Sequence, residues 1–416
     1  MKPGQLASLL CPGMRVFVQG SSGEPTALLE ALLAEPDAGA GVEFFSCQIP
    51  GLNRVDLAGL HRDARFTGLF LTPELVGSHS RRKVRFMPLA YSSMYRYLNA
   101  QPIDVAFIQV APSGRQGTFS LGLSAHFVPA ILKAARVVIA EINENLPSVG
   151  RSVSIDEDRL DYVLPTAHPL PVLDPGPPSE ISRKIGEHIA KLVRDGDHIQ
   201  VGIGKVPSAV LEALRSHQGL VCHGGLVTDA MIGLQRAGAL DPTRPLICTS
   251  VIGTKRIYDW VRARKDVHVH PVSYTHDVRV MARLDRLVAI NSVLSVDLSG
   301  QANAETVDGR QTGGCGGLPD FARGAQLSND GRSILALPST AARGTISRIV
   351  PALTNDIASC PRGDADYVIT EHGIAELKHK SLDERALALI EIADPAFRKS
   401  LLEHWEQHLE FGGDPR

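Results

Sequence analysis

Two runs of apolar, largely β-branched residues, Val105-Ala106-Phe107-Ile108-Gln109-Val110 and Val137-Val138-Ile139-Ala140-Glu141-Ile142, show almost no polar alternation. A strand with one wet face alternates apolar and polar side chains, whereas a strand covered on both faces does not. These runs therefore predict parallel strands packed between helices. The residues around them agree. Met14-Arg15-Val16-Phe17-Val18 is followed by the turn Gly20-Ser21-Ser22-Gly23, and then by a helical stripe of Leu28, Leu29, Leu32 and Leu33 that opens near Pro25. Strand, turn and helix in repetition give an α/β fold with mostly parallel sheets.

At 416 residues the chain exceeds one ordinary core, so two units of about 200 residues each are expected. Six prolines between 165 and 178 mark an extended linker. The expected organisation is an α/β domain over 1–164, the linker 165–178, and a second α/β domain over 179–416. The second begins with helical spacing over 181–192, a strand Ile199-Gln200-Val201, a tight turn Gly202-Ile203-Gly204-Lys205-Val206-Pro207 and a helix over 208–214. Further strands are expected at 246–250, 267–272, 287–290, 333–337 and 367–370. Residues 382–409 read as two amphipathic helices divided by Asp394-Pro395.

Charge narrows the function classes. The net charge of -2 supplies no global field toward nucleic acid or a membrane surface, so neither is expected as a partner. No segment reaches the roughly 18 apolar residues of a membrane helix, and the apolar run before Cys11-Pro12-Gly13 does not read as a signal peptide. The six cysteines form no Cys-x-x-Cys pair, which argues for a reducing, cytoplasmic setting. His268 and His270 share one face of a strand, but no acidic or cysteine partner stands at ligand spacing. No metal is expected.

Chemistry is concentrated in glycine-rich turns. Thr312-Gly313-Gly314-Cys315-Gly316-Gly317-Leu318-Pro319-Asp320-Phe321 has four glycines within five residues. Such backbone can approach a ligand closely and turn its N–H groups toward an oxyanion or a phosphate-bearing cofactor. Gly202-Ile203-Gly204 joins a strand to a helix N-terminus, where free amides and the helix dipole favour an anion. It lacks the spacing of a dinucleotide fingerprint or a Walker loop; a plain tight turn is the alternative. Cys315 could attack a thioester, yet Arg310 is the only basic residue near it in sequence, and an apolar filler is the simpler reading. Glu371-His372 follows a strand and could serve acid–base chemistry or structure.

Together these segments resemble the acetyl-CoA hydrolase/transferase family, in particular its 4-hydroxybutyrate CoA-transferase-like branch. The likeness runs over nearly the whole chain. Its blocks include Asp104 to Val110, Gly202-Ile203-Gly204-Lys205-Val206-Pro207-Ser208, Pro271-Val272-Ser273-Tyr274-Thr275-His276-Asp277, Ile290-Asn291-Ser292, Asp297-Leu298-Ser299-Gly300-Gln301-Ala302-Asn303-Ala304-Glu305 and the glycine loop through Gly324-Ala325. The resemblance implies two CoA-transferase-type α/β domains with the active site in the cleft between them. It implies acyl-CoA as substrate, a small carboxylate or other acceptor, and a glutamate that carries CoA as a thioester. The CoA-contacting turn falls on Gly202, Ile203, Gly204, Lys205 and Val206, with a further contact at Asn291; Gly316 and Gly317 are expected as cofactor contacts from the glycine-rich composition of their loop. The backbone oxyanion donor falls on Gly314, where such a group lowers a barrier by roughly 3–4 kcal/mol. A homodimer is the default assembly for an enzyme of this size.

The chain departs from that pattern at the nucleophile. Val221-Cys222-His223-Gly224-Gly225-Leu226-Val227-Thr228-Asp229 has Gly225 where the family carries its glutamate, Ser295 stands where a second glutamate is common, and Leu318 replaces a frequent glutamine. Three readings stay open. The chain transfers CoA or acyl directly, or hydrolyses thioesters with water activated by His223, Glu305 or Glu371. Alternatively Glu305 enters as a substitute nucleophile, or the chain binds CoA without turnover.

Overall fold

A computed structural model describes residues 3–113 and 116–411. The first half is built on parallel strands in the spatial order Val84–Phe86, Arg65–Gly68, Glu43–Ser46, Arg15–Val18, Ile103–Pro112, Ala135–Asn143 and Tyr162–Thr166. Phe107, Ile108 and Val110 are buried, as are Val138, Ile139 and Ala140, so the unbroken apolar runs are covered on both faces. The helix Thr26–Leu33 buries Leu28, Leu29 and Leu32. Leu33, read as part of that stripe, is exposed because the helix ends there. Pro165 closes the edge strand Tyr162–Thr166 instead of opening the linker; an edge tolerates proline because its missing N–H faces no neighbour.

The second half carries a sheet in the order Val221–Cys222, His198–Val201, Leu287–Ser292, Arg332–Ala336 and Tyr367–Thr370, all parallel, with Gly373–Glu376 antiparallel at the edge. Strand order reverses between His198–Val201 and Leu287–Ser292. In an open α/β sheet that reversal leaves a crevice beyond the carboxyl ends of the two strands, the usual seat of a ligand. Gly202 follows one strand and Asn291-Ser292 end the other.

Two local readings shift. The helix after the Gly202 turn starts at Lys205, three residues earlier than expected, with Pro207 in its first turn, a position where a missing N–H breaks no helical bond. The strand Val267–Val269 stops before Pro271, and Val272–Thr275 forms a short helix instead. The C-terminal pair is as expected, with helices Leu382–Glu391 and Pro395–Phe411.

Backbone hydrogen bonds tie the halves together. Ala125 N donates to Thr249 O at 3.1 Å, Val251 N to Leu123 O at 2.8 Å, and Val272 N to His126 O at 3.1 Å. One apolar core runs without a break from Phe17 and Ile108 to Ile199 and Ile290. The cleft walls are thus held in a fixed relation. Among the described residues no helix is long and apolar enough to cross a membrane.

Candidate active site

A cavity of about 380 Å³ lies between the halves. Gly202 and Ile203 line it from the sheet crevice together with Asn291, the loop Gly314 to Gly317 lines it from another side, and Phe70 and Tyr91 close it from the first half. The two glycine-bearing turns singled out in the sequence therefore face the same space, and Gly225 lines it too.

The glycine loop is clamped by the first half of the chain. Leu71 N donates to Gly313 O at 3.5 Å and Tyr91 N to Gly316 O at 3.2 Å. Asp320, at the start of the helix Leu318–Leu327, accepts from Ser92 N at 3.0 Å and Ser92 Oγ at 2.6 Å. The packing explains two of the glycines. A Cβ at Gly314 would stand 2.1 Å from the Leu69 carbonyl oxygen, and one at Gly317 would stand 2.7 Å from His276 Nε2. The amides of Gly314, Gly316 and Gly317 donate to no protein acceptor among the described residues. Unpaired N–H groups beside a cavity are what an oxyanion requires.

The second turn is similar in character. Gly204, at φ +131°, is the N-cap of Lys205–Ala213, a backbone geometry that favours glycine. The Gly202, Ile203 and Gly204 amides also lack protein acceptors among the described residues. Asn291 Nδ2 donates to Gln200 Oε1 at 3.3 Å, which orients its amide at the cavity edge. Lys205 is exposed and Val206 buried, and neither lines the cavity.

The candidate acid–base residues lie elsewhere. His223 is 1% exposed and outside the lining. Its Nε2 donates to the Thr275 carbonyl at 3.2 Å, and burial lowers its pKa to about 4. An imidazole that stands outside the lining, with Nε2 turned to the Thr275 carbonyl, does not face a group bound in the cavity, so the geometry does not bring His223 to the place the sequence suggested. Glu305 accepts from Ser359 Oγ at 2.8 Å and Gln311 Nε2 at 3.0 Å, and its carbonyl accepts from Thr312 N and Gly313 N. It also stands outside the lining and holds the glycine loop. Glu371 accepts from Ser339 N and Oγ at 2.9 and 2.8 Å, away from the cavity. Cys315 does line it, but burial and the nearby Glu305 and Asp320 carboxylates push its thiol up to about 12. The His268 and His270 rings are 6.1 Å apart and His270 stacks on Tyr274; among the described residues no group of three or more side chains could hold a metal.

The lining contains no Asp, Glu, Lys or Arg. Its ionisable side chains are Tyr91, Cys315 and His276, and burial holds each in its neutral form at pH 7. His276 carried no assignment from sequence. Its ring has room at the cavity because Gly317 carries no Cβ, and it borders Gly225 at ordinary contact distance, a dependence that no spacing in the chain reveals. Phe70 and Tyr91 were likewise invisible, since they meet the glycine loop across more than 200 residues of sequence.

Residues 1–174 match the N-terminal domain, and residues 253–405 the C-terminal domain, of acetyl-CoA hydrolase/transferase. The 4-hydroxybutyrate coenzyme A transferase of Clostridium kluyveri is 35% identical over 407 residues, 94% of either chain. The structure of RipA from Yersinia pestis superposes with a TM-score of 0.90 at 29% identity, covering 98% of this chain and 97% of that one. The 4-hydroxybutyrate CoA-transferase structure from Porphyromonas gingivalis does so with a TM-score of 0.82 at 30% identity and the same coverage. The chain belongs to the acetyl-CoA hydrolase/transferase family and is an enzyme of that family.

Proposed function

We propose that the chain acts on an acyl-CoA thioester, moving the acyl group or CoA to a small acceptor without a covalent glutamate at position 225. The observation that carries this reading is the shared cavity: both glycine-bearing turns, Asn291 and Gly225 line it, and no carboxylate does. The thioester carbonyl oxygen meets the unpaired amides at Gly314, Gly316 and Gly317, while the Gly202–Ile203 turn and Asn291 take the pantetheine arm. Oxyanion stabilisation by fixed amides operates without a nucleophilic side chain. Lys205 and Val206 contribute by starting the helix whose N-terminus lies beside the turn.

With Gly225 at the position of the family's glutamate, acyl-CoA and acceptor must be bound together. Steady-state rates at several concentrations of each then give intersecting double-reciprocal lines; a covalent intermediate gives parallel ones. Equilibrium dialysis with CoA and acetyl-, butyryl- and succinyl-CoA tests the binding directly. A chain that binds none of them, or one with parallel lines, contradicts the proposal.

A further inference from the structure

Gly225 leaves open space beside an imidazole. A Cβ at position 225 would stand 3.4 Å from His276 Nε2 and 3.8 Å from the Phe321 ring, ordinary contact distances, so the His276 edge borders the room a longer side chain would use. The other ring nitrogen, Nδ1, lies 2.8 Å from Thr275 Oγ1. That hydroxyl has its own acceptor in the Pro271 carbonyl at 3.4 Å, which leaves its lone pair to receive Nδ1–H. With the proton on Nδ1, Nε2 is an acceptor, and among the described residues it has no donor. The ring is set between Tyr91, at 4.9 Å between centroids, and Phe321, at 4.7 Å.

The surrounding charge selects the acceptor. With no Lys or Arg in the lining, an anionic acceptor would be desolvated with no cation to meet it. A neutral hydroxyl compound needs only a group to take its proton. Burial, with His126 and His223 nearby, keeps His276 unprotonated at neutral pH, so its Nε2 lone pair is free. His126 and His223 beside it, and Tyr91 and Cys315 in the lining, are held neutral by burial, while Asp277, next in the chain, is paired with Arg279.

Building on the acyl-CoA reading above, we propose that His276 Nε2 is the general base that deprotonates a neutral hydroxylic acceptor, water or a small alcohol, in the space left by Gly225. The acceptor oxygen forms a bond to the thioester carbon as its proton passes to Nε2, and the carbonyl oxygen becomes an oxyanion on the glycine-loop amides. Collapse of that intermediate breaks the C–S bond. The proton on Nε2 then moves to the departing sulfur, releasing CoA as the thiol with a free acid from water or an ester from an alcohol.

The test uses the full chain with acetyl-CoA in ¹⁸O-labelled water, alone, with ethanol, and with acetate or butyrate. Thiol release is followed alongside mass analysis of the acid or ester. Release in water with one ¹⁸O in the acid, or ester formation with ethanol, is expected; the two arms separate hydrolysis from alcohol transfer. His276→Asn is expected to lower kcat by about 10²–10⁴-fold while CoA affinity by dialysis and the melting curve stay as in the wild type. Thr275→Val, which keeps the ring but removes the Nδ1 partner, is expected to lower kcat about 10–100-fold at unchanged KM. Turnover that needs a carboxylate, or full activity in the H276N protein, overturns the base assignment and leaves the acyl-CoA reading standing. So does CoA binding without turnover in any arm. Failure to bind CoA at all overturns both.

Discussion

Two glycines line one cavity and should respond to alanine in opposite ways. At Gly314 a Cβ would lie 2.1 Å from the Leu69 carbonyl oxygen, 0.9 Å inside the 3.0 Å below which real Cβ contacts essentially never fall (3.0 − 2.1). The obstacle is backbone directly after the strand Arg65–Gly68, so relief must come from the glycine loop. A displacement on the order of 1 Å at the reacting centre costs about 10²-fold in rate, and forced repacking costs roughly 1–3 kcal/mol of stability. At Gly225 the nearest contact would be 3.4 Å and the backbone is outside the left-handed region. Gly225→Ala should therefore change stability by no more than about 1 kcal/mol, since added chain stiffness in the unfolded state offsets mild crowding. Thermal and urea melts of both variants, with thiol-release rates for Gly314→Ala, measure the contrast. A Gly314→Ala protein with wild-type rate and melt would refute the clamp between Leu69 and the loop.

Other consequences are separable. Glu305→Gln should keep at least about a tenth of the activity because an amide can still receive the Ser359 hydroxyl, whereas Glu305→Ala removes the buried acceptor that Ser359 and Gln311 share, at a cost of roughly 1–3 kcal/mol; inactivity of both at equal stability would restore Glu305 as a nucleophile. Burial raises Glu24 from 4.5 to about 7. The protonated form is the one favoured in the folded chain, so its contribution is fully present below pH 4.5 and is lost as pH rises through 7. The wild type should lose about 3 kcal/mol relative to Glu24→Gln between pH 4.5 and 8, read from paired urea melts; parallel curves would contradict the assignment. Cys315, with its thiol pushed from 9.0 to about 12, should alkylate about 10³-fold more slowly at pH 7.5 than an unperturbed thiol, as peptide mass mapping with iodoacetamide would record.

The fold was legible because its signals are local. Unbroken apolar runs such as 105–110 mark strands by composition alone, and the sheet built on them is parallel. The glycine turns were legible for the same reason: a dense run of Gly has few uses besides close approach. The other cavity walls depend on packing at long sequence separation. His223 stands two residues from Gly225 in the chain, yet its ring turns to the Thr275 carbonyl. His276, fifty-one residues from Gly225 (276 − 225), borders it instead. Strand and turn geometry decides which of two nearby histidines faces a cavity, and one sequence does not contain that geometry in readable form.

Intact-protein mass after rapid mixing with acetyl-CoA, followed by borohydride and peptide mapping, bears most directly on chemistry without an enzyme carboxylate. The chain should return at its unmodified mass with every glutamate intact while CoA is released. A CoA-sized increment, or a glutamate reduced to its alcohol at Glu305 or anywhere else, would contradict it.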